Sequence, residues 1–270
     1  MIQNMIKTIL GGDIFQDAVK ILSKGPFEYP GIKELVNNIY NVAMSFAVCL
    51  LIVYFLLKLV EILSSENFTW EQLWKQMAMF MAAKILMDYG MDIVVGLFNL
   101  GTILLNSLGS VAKIDTSSLY DAALLEKQFS KSLGLTGVMK VLEGVLMFVY
   151  LLIPWIVAWA LSMCVKIICY TRLIEIALRA SFAPLALSDF FHSGLQGTGW
   201  RFLKNFFAVC LQGAVILAIA MIYSKMFSSI IVGGETNILV FSGLVLAYSA
   251  SAVMLMFKSL SFTKELVGSN

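Results

Sequence analysis

The chain has 270 residues, 60% hydrophobic and 13% charged, with a net charge of +2. A soluble domain carries about 25% charged residues. The apolar residues also come in long blocks, which excludes one soluble core and fits an all-α, polytopic helical membrane protein. The charge balance is too small, and the basic residues too scattered, to argue for nucleic-acid binding.

Residues 1–34 read as an N-terminal amphipathic, interfacial segment. Ile2, Met5, Ile6, Ile9 and Leu10 recur at helical spacing, and after Gly11-Gly12 the pattern resumes at Ile14, Phe15, Ala18, Ile21 and Leu22. Two short amphipathic helices fit an interfacial anchor, or a plug or docking element for a partner. Gly25-Pro26 ends the second helix. Charges interrupt the apolar residues up to Leu22, so this stretch does not read as a cleavable signal peptide, and no lipidation motif is present.

Residues 35–257 read as the transmembrane domain. Span A, 35–57, is free of charge and long enough to cross, with Lys58 and Glu61 at its edge. Thr69 followed by Trp70-Glu71 is a helix start, and Trp70 and Trp74 suit the aromatic belt of a membrane surface. Span B, from Met77 to Leu108, is about 48 Å of helix against a bilayer core of about 30 Å. Either its first part lies near the surface or Gly90 bends it.

Within span B, Lys84, Asp88, Asp92, Asn99, Thr102 and Asn106 fall in a sector roughly 80° wide on a straight helix. The other face is apolar. This polar seam cannot face lipid, because charge at bilayer depth costs about 2.5–3.5 kcal/mol or more per group. It is either the solvated face of an interfacial helix or a face turned to a helix bundle or wet cavity. A polar connection, 109–137, follows, with room for a short surface helix at Leu119–Phe129.

Span C is charge-free from Gly144 to Val165, with Pro154 in its middle as a packing kink or a hinge. Segment D, Lys166 to Leu187, is ambiguous. Arg172, Glu175 and Arg179 share one helical face, and Glu175 and Arg179 have the favourable i,i+4 order. The three form an intramembrane ion network, the polar side of a re-entrant helix, or a solvated face. Pro184 ends or kinks the segment. His192 lies in the following Gly-containing loop. Span E is charge-free from Asn205 to Ser224, and Arg201, Asn205, Gln212 and Tyr223 share a face. A tight loop at Val232-Gly-Gly-Glu-Thr leads to span F, Thr236 to Phe257. Its small residues Ser242, Gly243, Ser249, Ala250, Ser251 and Ala252 permit close helix packing. Residues 258–270 form a short polar tail.

The reading gives five transmembrane helices, or six if segment D crosses. Six would favour an inward N-terminus by the positive-inside rule; with five, the basic residues divide too evenly to orient the chain. No phosphate-binding, dinucleotide, zinc-protease or hydrolase motif is present. Cys49, Cys164, Cys169 and Cys210 lie inside apolar blocks, form no CxxC pair and have one histidine, His192, to work with. The chain therefore reads as no enzyme, with no catalytic residues, cofactor or metal.

The ordering of these parts resembles the polytopic membrane subunit of type IV secretion and conjugation machines, the TrbL-like family. The resemblance rests on the N-terminal segment ending at Pro26 and Pro30, the polar residues inside span B, and the polar connection before span C. It rests most on TRLIEIALRASFAPLAL from Thr171, followed by GWRFLKNFF from Gly199. It implies a part in moving DNA or protein across the cytoplasmic membrane during conjugation. The implied partners are membrane lipid, copies of itself in a ring, and other type IV secretion subunits, including an ATPase and membrane-anchored components. DNA or protein would be a substrate only in transit. The resemblance also implies about five spans, an outward N-terminus and the polar loop after span B on the outer face. The competing readings are a self-sufficient small-molecule or ion transporter and an anchor of another complex. The lack of a clear internal repeat counts against the transporter.

Overall fold

The computed structural model describes residues 18, 20–22, 24–29, 31–64, 69–111, 140–193, 197–232 and 238–268. Most of the amphipathic segment before residue 18, the 112–139 part of the polar connection with its expected surface helix, the 233–237 loop and the side chain of His192 lie outside the described residues. After a 3-10 turn at Pro26–Glu28, the elements are α1 (Ile32–Leu63), α2 (Trp70–Asp88), α3 (Gly90–Val111) and α4 (Lys140–Ser181). Two short helices, α5 (Ala183–Ser188) and α6 (Phe190–Ser193), lead to α7 (Thr198–Val232) and α8 (Ile238–Val267). Among the described residues there is no strand.

Among the described residues, five helices are long and apolar enough to cross a membrane: Ile32–Leu63, Gly90–Leu108, Leu151–Ser181, Thr198–Tyr223 and Gly243–Val267. Helix α1 shows why such a chain belongs in lipid. Its buried positions, Val36, Tyr40, Ala43, Ala47 and Leu51, form a single stripe. Leu35, Val42, Phe46, Val53, Leu57 and Val60 are exposed on its remaining surface. An exposed apolar area of that extent needs a lipid or protein cover. Helix α7 is the opposite case: 61% of its most apolar stretch is buried, against 11% for α1.

Segment D is not a separate element. No glycine or proline lies between Trp155 and Ser181, so nothing stops the helix begun in span C, and α4 runs for 42 residues with Pro154 inside it. The interruption comes at Phe182, and Pro184 sits in the first turn of α5, where its missing N–H costs no helical bond. Span B, by contrast, is two helices, parted at Tyr89, whose φ of −90° and ψ of 6° leave the helical region. Only the second of them, α3, carries a candidate span. The stretch read as a polar tail is helical to Val267, with Ser259 and Thr263 buried. It stops where Gly268, at φ +64°, turns left-handed.

The chain divides into two compact units. The first comprises Met1–Ser23, Leu105–Thr171 and Gly213–Ser259. Its core includes Leu151, Val165, Ile216, Ala220, Val245 and Met256. Within it the hydroxyls of Tyr223 and Ser249 meet at 2.9 Å, so two polar groups inside apolar helices satisfy one another. The second unit comprises Lys24–Leu104, Arg172–Gln212 and Leu260–Asn270. It holds two apolar clusters. One joins Val36 and Tyr40 to Val94, Phe98, Ile176 and Phe206. The other joins Ala47 and Leu51 to Ala83, Met87, Leu187 and Phe191, with the rings of Phe55 and Phe80 at 4.8 Å.

Candidate functional site

In a chain made for lipid, the informative groups are the polar ones inside its helices. The seam divides at the α2–α3 junction. On α2, Lys84 and Asp88 form an ion pair one turn apart. On α3, Asp92 stands exposed in the first turn, Asn99 is exposed, and Thr102 donates to the Asn99 carbonyl at 2.8 Å. Asn106 is exposed as well. The seam residues of α3 thus occupy exposed or half-exposed positions along a candidate span, with Asp92 in its first turn.

The junction itself is built around Tyr40. The Tyr40 hydroxyl donates to the Met87 carbonyl at 2.8 Å. In an unbroken helix that carbonyl would accept from the Met91 N–H. A side chain inserted into the ladder is a recognised cause of helix breaks. The backbone bonds on either side, Tyr89 N to Ile85 O and Ile93 N to Tyr89 O, are both 3.0 Å, so the disturbance is confined to about one turn.

Segment D supplies a second polar group. Arg172 is 1% exposed. Its Nε donates to the Val209 carbonyl at 3.1 Å and its Nη2 to the Cys210 carbonyl at 2.9 Å. A buried guanidinium needs such acceptors, since an unsolvated charge is costly. Glu175 takes its bonds from Arg179, at 3.0 Å from Nε and 2.5 Å from Nη2, with both side chains about a quarter exposed. The shared face of the three residues therefore serves two fastenings: a helix-to-helix one at Arg172 and an ion pair along α4. Helices α3 and α7 also touch closely here. A Cβ on Gly101 would lie 2.8 Å from the Cys210 carbonyl oxygen. Among the described residues, no three His, Cys, Asp or Glu side chains gather to hold a metal ion.

A family model described as "TrbL/VirB6 plasmid conjugal transfer like protein" matches residues 16–184. The chain belongs to the TrbL/VirB6 family. No curated protein and no solved structure matches it. The matched TrbL/VirB6 residues include the seam, Tyr40, Pro154 and the Arg172–Arg179 face, and end at Pro184. The Gly199 stretch that also suggested the family lies beyond them.

Three features of this TrbL/VirB6 chain went unseen in its sequence: the Tyr40 insertion, the Gly101–Cys210 approach and the Tyr223–Ser249 pair. Spacing puts Tyr223 on a polar face of its own helix, whereas its partner Ser249 sits on another helix. Gly101 carries a signal only in hindsight, as a glycine inside an apolar helix.

Proposed function

We propose that this multi-pass membrane protein is a non-enzymatic subunit of a conjugative type IV secretion machine in the cytoplasmic membrane. In this reading it helps form the assembly through which DNA or protein crosses, and it works as a homo-oligomeric ring beside the machine's ATPase and membrane-anchored subunits. Family membership supports the setting. The observation that carries the assembly is the exposed position of Asp92 and Asn99 on a candidate span. Asn99 lies midway along the span, where a polar side chain is costly to leave to lipid, and Asp92 stands two turns nearer the end on the same face; in this reading a neighbouring subunit covers that face. A ring would repeat Asp92 once per subunit. A band of like charge sits poorly around DNA, whose phosphates are also negative. The seam therefore serves packing or ion pairing between subunits and does not line the DNA path.

The test is the mass and image of the purified protein in detergent or nanodiscs. A closed homo-oligomer is expected. A monomer that carries a small solute across vesicles would contradict the reading and favour a self-sufficient transporter.

A further inference from the structure

The start of α7 and the end of α8 meet at a cluster of cations. Lys204 Nζ donates to the Gly268 carbonyl at 3.4 Å. It also stands 5.9 Å from the centre of the Trp200 ring, one turn earlier on α7. The face of an indole attracts a cation, so two partners hold this ammonium in place. An ammonium has three donors, and the Gly268 bond uses one of them. Arg201 follows Trp200 and is exposed. It lies about 60° round the helix from Lys204. On α8, Lys264 stands one turn before Gly268 and is partly exposed.

We propose that this cluster binds the phosphate headgroup of an anionic membrane phospholipid. A guanidinium offers paired N–H donors that match a phosphate, and an ammonium adds a point charge beside it. The carboxylates nearby leave the cations in excess. Asp189 is committed to the first turn of α7, where it accepts from the Thr198 N–H at 2.8 Å. Glu265 is turned about 100° round α8 from Lys264. The position suits a lipid. From Asn205 to Ser224 α7 carries no charge, so the cluster stands where the helix enters the apolar core and where tryptophan is favoured. Phe262 and Leu266 are exposed on the same turns of α8 and offer apolar surface to acyl chains. Basic groups between spanning helices recognise anionic headgroups in this way.

The experiment is native mass spectrometry of the full-length protein in detergent, titrated with phosphatidylglycerol or phosphatidylcholine. The wild type should retain phosphatidylglycerol in preference to phosphatidylcholine. Each basic residue at a membrane surface is worth about fivefold in affinity, so Arg201→Gln with Lys204→Gln should weaken phosphatidylglycerol binding about 25-fold. Arg201→Gln alone leaves the Lys204–Gly268 bond intact and should weaken it about fivefold, which covers the case in which the double variant does not fold. Lys33→Gln with Lys75→Gln removes the same charge from exposed positions on α1 and α2 and should bind as wild type does. Equal retention of the two lipids by the wild type overturns the proposal, as does equal weakening in the α1–α2 control or wild-type binding by Arg201→Gln. Displacement of the lipid by millimolar inorganic phosphate would mark a site for free anions and overturn it as well.

Discussion

Gly101 and Gly96 lie about one and a half turns apart on α3, and their environments predict opposite responses to the same substitution. A methyl group added at Gly96 meets nothing within 4 Å. Gly96→Ala should therefore show only the gain in helix propensity, about 0.5–1 kcal/mol. At Gly101 the methyl carbon would stand 2.8 Å from the Cys210 carbonyl oxygen and 3.1 Å from Cys210 Cβ. Carbon–oxygen contacts settle at about 3.3–3.6 Å, so α3 and α7 must part by about half an ångström. The obstacle is backbone and cannot rotate away. Overpacking of this kind costs about 1–3 kcal/mol. The same Cys210 oxygen accepts from Arg172 Nη2 at 2.9 Å, so displacing it also weakens a charge-assisted bond worth about 1.5–3 kcal/mol when lost outright. After subtracting the propensity gain, Gly101→Ala should be less stable than wild type by about 1–3 kcal/mol. Thermal denaturation of both variants in one fixed detergent compares them. A Gly101→Ala protein as stable as Gly96→Ala would refute the close approach of α3 and α7.

Glu175→Gln leaves the Arg179 guanidinium without its carboxylate; with both side chains about a quarter exposed, the cost should be about 1–2 kcal/mol. Glu61→Gln, which breaks an exposed pair with Lys58, should cost less than about 1 kcal/mol in the same denaturation assay. Cys49 faces outward from α1 and Cys210 is fully buried. Neither should react quickly with a membrane-impermeant maleimide in intact membranes, and rapid labelling of either would mean that its helix borders a water path.

The architecture was legible because lipid imposes a simple rule: a helix must be apolar over about 20 residues to cross. That rule located the helices of spans A, C, E and F and excluded a soluble core. Segment D is ambiguous in the sequence because charges oppose insertion unless they find partners. The helix instead continues through them, and its charges find acceptors: Arg172 on two α7 carbonyls, Glu175 on Arg179. Whether a charge can be buried depends on what lies opposite, and no pattern within one helix reveals that. The seam shows the same limit. Its residues could be read from spacing, but the hydroxyl that bonds the Met87 carbonyl beside the break at Tyr89 comes from 47 positions earlier in the chain. Residues 258–270 read as a polar tail because Lys258 and Lys264 stand in it, and their spacing does not reveal that the helix runs on to Val267 with Ser259 and Thr263 buried.

The central claim is that this TrbL/VirB6 protein assembles through the polar surface of α3, and Asp92 is where that claim is most exposed. The direct measurement is the oligomeric state and abundance of Asp92→Leu in membranes, followed by its support of conjugal transfer, beside the neighbouring control Ile93→Leu. The account predicts that Asp92→Leu loses the assembled form, or falls in abundance, and loses transfer with it, while Ile93→Leu behaves as wild type. An Asp92→Leu protein that assembles normally yet blocks transfer would contradict the packing role and place Asp92 on the transfer path itself.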